Sequence, residues 1–227
     1  MENTYKKRKN LFLQQSYRDS WEDYERSINK DNFITWDYLI ITASNEEQAA
    51  NFREQIAYRL ERGLLPSRIH YAVLPDPEGK RVGSGGATLH VMKYIREQEP
   101  DCKIPLRRIL VIHSGGDSKR VPQYSAMGKL FSPVPRELPN GRASTLFDEF
   151  IIGMSGVPSR FREGMLVLSG DVLLLFNPLQ IDAQFHGAAA ISIKEDVSIG
   201  KNHGVFLNDG KDCVKAFLHK QTEEIPS

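Results

Sequence analysis

The chain has 227 residues, 40% apolar and 26% charged, with 30 basic and 29 acidic side chains for a net charge of +1. That balance excludes a disordered chain and supplies no global attraction for nucleic acid or an anionic membrane, so any anion site must be local. Cys102 and Cys213 lack paired spacing, and no apolar run approaches membrane-spanning length. These facts argue against a disulfide framework, a zinc site and a membrane helix, and leave a reducing, cytoplasmic setting as the default.

In chain order, Tyr17, Trp21, Tyr24 and Ile28 recur at helical spacing within residues 10–31. They predict an N-terminal helix packed on the main domain, the alternative being a partner-binding helix. Residues 1–33 are therefore set apart as a helical appendage to a domain over 34–227. WDYLIITAS at 36–44 reads as a buried strand. Ser44 and Glu47 then form a capping box for a helix whose inner face is Ala49, Phe52, Ile56 and Leu60, with Gly63 ending it. IHYAVL at 69–74 is a second strand. VGSGGATLHVMKYIREQEP at 82–100 places glycines just ahead of a helix with Leu89, Met92 and Ile95 inward.

Residues 108–112 form a third strand. Ser144 is the expected N-cap of a helix through Met154, with Phe147, Phe150, Ile151 and Met154 inward, and MLVLS at 165–169 is a fourth strand. Shorter strands are expected at 188–193, 203–207 and 213–218, with NDG at 208–210 as a hairpin turn. Strands that are continuous apolar runs, alternating with helices, predict an α/β fold with a mostly parallel sheet covered on both faces. Ligands in such sheets bind beyond the carboxyl ends of the strands.

Three loops lie near that edge. In GSGGAT at 83–88, three glycines open the backbone N–H groups of a helix start to an anion; the alternative is a tight turn. Thr88 stands where a dinucleotide-binding GxGxxG needs its third glycine. HSGGDSKRVPQYSAMGKLF at 113–131 leaves a strand through two glycines into a basic segment. There, Arg120 suits paired phosphate oxygens and Lys129 offers a compact charge. It is not a Walker A loop, since Leu130 follows Gly128-Lys129 and Gln123 replaces the first glycine. LSGDVLL at 168–174 puts Asp171 at the ligand edge, as a Mg²⁺ carboxylate or a turn aspartate. His203, Gly204 and Lys220 carry weaker signals, and His113 and His219 have no catalytic spacing.

Together, VGSGGATL, ILVIHSGGDSKRVPQYSAMGKLF, LVLSGDVLLLF, NHGVFL and AFLHK, in this order over residues 36–220, resemble the fucose-1-phosphate guanylyltransferases. These enzymes include stand-alone GDP-L-fucose pyrophosphorylases and bifunctional proteins with a fucokinase half. The resemblance implies a Rossmann-like, GT-A-like nucleotidyltransferase domain that converts GTP and L-fucose 1-phosphate to GDP-L-fucose and pyrophosphate with Mg²⁺. By the same resemblance, Ser114, Gly115, Gly116, Asp117 and Ser118 would wrap the triphosphate. Arg120 and Lys129 would stabilise charge on the α-phosphate and the leaving pyrophosphate, and Asp171 would ligate Mg²⁺. Gly83, Gly85, Gly86, Ala87 and Thr88 would contact the nucleotide, with His203, Gly204 and Lys220 toward the sugar phosphate.

The partners implied are thus GTP and a sugar 1-phosphate, with no nucleic acid or membrane. Such domains often precede a β-helix, and usually bring a second metal-binding aspartate after the sugar segment. Here the sequence given ends at Ser227, seven residues past Lys220, so an incomplete C-terminal part and a longer protein are expected. The alternatives are transfer to another sugar phosphate or from another nucleotide, a non-catalytic nucleotide-binding domain and, third, an oxidoreductase.

Overall fold

A computed structural model describes residues 2–100, 107–114, 128–160, 162–173, 203–211 and 213–219, together with 177, 180, 185–192, 198 and 200. The chain divides into two compact units, 1–184 and 185–227.

The first unit is built on four parallel strands, β1 (Tyr38–Ala43), β2 (His70–Pro75), β3 (Arg108–His113) and β6 (Gly164–Ser169), in the order β2-β1-β3-β6. All six residues of β1 are buried, as are the middle four of β3, because helices cover both faces. The α/β expectation therefore holds. Period-two alternation divides the strand residues between two cores. Leu39, Ile41, Leu110 and Ile112 pack with Phe52 and Ile56 of α2 (Glu46–Glu61) and Phe147, Phe150 and Ile151 of α4 (Leu146–Met154). Tyr38, Ile40, Ile109 and Val111 pack with Val91 and Ile95 of α3 (Gly83–Gln98) on the other face. The 28-residue helix α1 (Glu2–Asn29) lays Trp21 and Tyr24 into the first core, where the Tyr24 hydroxyl donates to Leu64 O at 2.9 Å.

Helix ends show where local chemistry is decisive. Gly63 ends α2 as expected. At φ +65° it donates to Leu60 O, and Leu64 N donates to Arg59 O at 2.8 Å, the paired bonds of a Schellman motif. A Cβ on Gly63 would meet nothing within 4 Å, so Gly63→Ala carries only the left-handed penalty. It should cost about 1 kcal/mol in urea unfolding.

Both expected N-caps lie one residue early. At α2 the cap is Asn45, whose side chain accepts from Gln48 N at 2.9 Å, while Gln48 Oε1 accepts from Ser44 N and Oγ. The neutral Gln48 can be buried, whereas Glu47 stays exposed with its charge in water. At α4 the cap is Thr145, because only that register puts an acid, Asp148, at the third helical position to answer the Thr145 N–H, at 2.9 Å. A Ser144 cap would put Phe147 there.

In α3 the glycines form the first turn instead of preceding it, and the inner face is Ala87, Val91 and Ile95. Leu89 and Met92 point to solvent. The side chains nearest the sheet are the small and β-branched ones, at a spacing of four.

Two strands were not foreseen. Pro133–Glu137 (β4) and Ala143–Thr145 (β5) pair antiparallel ahead of α4, with a register shift between Val134 and Glu137. The second unit contains an antiparallel hairpin, β7 (Gly204–Asn208) with β8 (Val214–His219), close to the expected strands. Gly210 sits in its turn at φ +83°. Residues 188–192 form no strand, correcting the expectation there, and residue 193 lies outside the described residues. Among the described residues, no helix is long and apolar enough to cross a membrane.

Candidate functional site

After β2 the chain passes over β1 to form β3, so the strand order switches between β1 and β3. In open α/β sheets ligands bind beyond the carboxyl ends of the strands at such a point. Helix α2 leaves β1 onto one face of the sheet, and α3 follows β2 onto the other.

On the α3 face, Thr42 and His113 are register partners at the ends of β1 and β3. Thr42 Oγ1 lies 3.0 Å from His113 Nδ1, and His113 Nε2 lies 2.9 Å from Thr88 Oγ1 in the second turn of α3. Burial pushes the His113 pKa down from its ordinary value, partly countered by the carboxylate of Asp76. Burial raises the Asp76 carboxyl in turn, against the pull of Arg81, His90 and His113. Ser114 N donates to Thr42 O at 3.2 Å, and Gly170 N to His113 O at 2.8 Å. Those bonds bring the ends of β1, β3 and β6 together. A Cβ on Gly170 would stand 3.0 Å from both His113 O and Ser114 Cβ, so the residue before Asp171 has little room for a side chain. Asp171 itself is exposed and accepts from Ser169 Oγ at 2.6 Å.

Lys129 belongs to the opposite face. Gly128 has φ +67°, and a Cβ there would fall 2.6 Å from Phe52 and 3.3 Å from Gln48 Nε2. Glycine is required on both counts, and the contact sets Lys129 against the first turns of α2. Lys129–Phe131 is a single 3-10 turn whose other two residues, Leu130 and Phe131, are buried. The Phe131 ring lies 5.3 Å from that of Phe52 and 4.9 Å from that of Phe147. Core packing therefore fixes the Gly-Lys pair in place of a phosphate-binding loop of the Walker type. Lys129 is half-buried, and no carboxylate among the described residues pairs with its ammonium.

The structure thus gathers Thr88, Ser114 and Asp171 near His113, with Gly83, Gly85, Gly86 and Ala87 in the same helix start as Thr88. It sets Lys129 on the α2 side of the edge. Gly115, Gly116, Asp117, Ser118, Arg120 and Lys220 lie outside the described residues. In the second unit His203 is exposed, and Gly204 faces the Phe217 ring, which a Cβ would meet at 2.7 Å. Packing in the hairpin therefore accounts for this glycine by itself.

Sequence reasoning set His113 aside for lack of catalytic spacing. The signal was present in the period-two pattern, which puts Ile109, Val111 and His113 on the face shared by Tyr38, Ile40 and Thr42.

No solved structure matches the chain. Among curated proteins, it is 32% identical over 234 residues to the bifunctional fucokinase/GDP-fucose pyrophosphorylase of Arabidopsis thaliana, covering 92% of this chain and 22% of that protein. The fucose-1-phosphate guanylyltransferases of Mus musculus and Homo sapiens are 32% and 33% identical to it. Each match covers 83% of this chain, and 34% and 33% of the respective enzymes. The chain thus spans a fifth to a third of the length of these relatives. The fucose pyrophosphorylase domain model matches residues 103–225, more than half of the chain. The chain belongs to the fucose pyrophosphorylase family.

Proposed function

We propose that the protein transfers a guanylyl group from GTP to L-fucose 1-phosphate, giving GDP-L-fucose and pyrophosphate. The observation that carries this reading is the family match over residues 103–225. That span contains Ser114, Lys129 and Asp171, all at the carboxyl edge of the sheet. The names of the mouse and human relatives supply the nucleotide and the sugar.

A phosphate oxygen of fucose 1-phosphate, already ionised at neutral pH, attacks the α-phosphorus of GTP in line. The bond from that phosphorus to the bridging oxygen breaks, and pyrophosphate leaves with the electron pair. No covalent enzyme intermediate and no strong base are needed, so the protein contributes position and electrostatics. Lys129, and with it Arg120, offsets the charge that builds up on the α-phosphate and the leaving group. In this reading the family resemblance assigns residues 114–118 to the triphosphate, residues 83–88 to the nucleotide, and His203 and Lys220 to the sugar phosphate.

Gly85 supports a ligand at the α3 turn. Its φ is not positive, and a Cβ on it would meet nothing within 4 Å. Among the described residues neither backbone nor packing calls for glycine, although glycine within a helix costs about 1 kcal/mol relative to alanine. An open approach for a ligand would explain it.

The residues present fit Mg²⁺. The described residues contain no cluster of three or more ligating side chains, but Asp171 presents an exposed carboxylate at the same edge. A divalent magnesium typically takes one or two carboxylates and fills the rest of its shell with phosphate and water. Bound there, it would neutralise charge on the phosphates. The two cysteines suit a cytoplasmic setting.

The test is pyrophosphate release by the full protein with each nucleoside triphosphate and each candidate sugar phosphate. GTP with fucose 1-phosphate should be the preferred pair. Preference for another sugar phosphate would leave nucleotidyl transfer standing and remove fucose. GTP binding without turnover would indicate a non-catalytic nucleotide-binding domain.

A further inference from the structure

We propose that His113 is a positioning residue, which holds the glycine turn of α3 to the ends of β1 and β3 and so sets where that turn meets the nucleotide. The identity of the ligand rests on the guanylyl-transfer reading; the anchoring does not.

The hydrogen bonds themselves give the direction. The Thr88 hydroxyl has one hydrogen, and it donates to Ser84 O at 2.9 Å, a carbonyl that can only accept. Toward His113, at 2.9 Å, Thr88 Oγ1 can therefore only accept, so the imidazole hydrogen is on Nε2. Neutral His113 then has a bare Nδ1, which accepts from Thr42 Oγ1 at 3.0 Å. One chain of donors runs from β1 through β3 into the first turn of α3.

Among the described residues, little else holds that turn. Gly83, Gly85 and Gly86 all fall within it, and Gly83 is at φ +70°. Val82 caps the helix without a side-chain hydrogen bond, and no acid lies in the first turn. Glycines leave the backbone with the most freedom to lose, so an external tie has the largest effect in such a segment. Among the described residues, the first tie from the sheet is made at Thr88, through His113. The same residue joins β3 to the Gly170 backbone, so the glycine turn and the residue before Asp171 share one support.

The test compares full-length wild type with His113→Ala, His113→Gln, Thr88→Val and the His113→Ala/Thr88→Val double variant. It reads kcat, KM for GTP, KM for fucose 1-phosphate, melting temperature and amide hydrogen exchange across residues 84–89. His113→Ala should raise KM for GTP by up to about tenfold, the upper range for losing one hydrogen-bonded tie. It should leave KM for fucose 1-phosphate within about twofold, and speed exchange at 84–89. Glutamine, whose side-chain amide can donate to Thr88 as Nε2–H does, should recover most of the loss. Thr88→Val should match His113→Ala, and the double variant should be no worse than either, because the chain of bonds acts as a unit.

Unchanged KM for GTP in His113→Ala would overturn the proposal. So would a parallel rise in both KM values with a fall in melting temperature, which marks a general structural role. If wild type transfers no guanylyl group, the functional reading falls and exchange alone decides the anchor. Acceleration confined to 84–89 would support it, and its absence would overturn it.

Discussion

Lys129→Ala is expected to lower guanylyl transfer by about 10²–10³-fold, the range for removing one charge-stabilising group from a preorganised site. The effect should fall on kcat and kcat/KM together, because charge on the departing pyrophosphate develops only as the bond breaks. Stability should hold to within about 0.5 kcal/mol, the usual range for substitutions away from the core. The two effects separate because the turn is built from its other residues. Gly128 fits against Phe52 and Gln48, and Leu130 and Phe131 are buried, while the Lys129 side chain contributes no ion pair within the described residues. Lys129→Arg should recover part of the activity, since the charge returns in a wider, planar group. Unchanged turnover in Lys129→Ala, measured as pyrophosphate release, would remove Lys129 from the site.

The second large effect is on stability. Asp148→Ala should destabilise the protein by about 3–5 kcal/mol, the cost of leaving half of a buried ion pair unpaired. Arg59 and Asp148 side chains are each only 6% exposed, and the guanidinium donates to both carboxylate oxygens, at 3.0 and 3.3 Å. Arg59 also donates to Gln55 Oε1 and Thr145 Oγ1, and stacks 5.1 Å from the centre of Phe131 and 5.6 Å from that of Phe147. Removing the carboxylate strands that cation in the core, and Phe131 lies two residues from Lys129. Activity should therefore fall with stability in this variant, the opposite of the Lys129 pattern.

The same pair makes stability depend on pH. Burial pushes the Asp148 carboxyl up, but the hydrogen bonds and charge of Arg59 and the Thr145 donors outweigh it and hold the pKa below its ordinary value. The folded state then binds fewer protons than the unfolded one between the two pKa values. The stabilisation is thus present in full above the ordinary carboxylate range of about 3.9, and is lost as pH falls below it. Urea unfolding from pH 6 down to pH 3 should show a steep acid limb in wild type and a flatter one in Asp148→Asn. Equal slopes would contradict it.

Much of the fold was legible because it rests on local rules. Continuous apolar runs marked β1, β3 and β6, and Gly63 marked the end of α2. What escaped depended on choices that only the folded chain makes. Pro133 and Pro135 argue against a strand, yet β4 needs only one partner, β5, and Val134 is the residue that aligns with Ser144 there. In α3 the stripe through Leu89 and Met92 competes with the one through Ala87 and Val91, and the close approach of helix to sheet favours the smaller residues. The site divides the same way. Lys129 and Asp171 announced themselves by residue type beside a glycine, whereas His113 acquires its meaning from register with Thr42 and from a helix that brings Thr88 across from β2.

Guanylyl transfer is tested most directly by incubating the full protein with Mg²⁺, GTP and L-fucose 1-phosphate, and following pyrophosphate and GDP-L-fucose together. Equal amounts of both products should appear, only when both substrates are present, and far faster than with UTP and glucose 1-phosphate. Equal rates with the UTP and glucose 1-phosphate pair, or GTP binding with no pyrophosphate released, would contradict it.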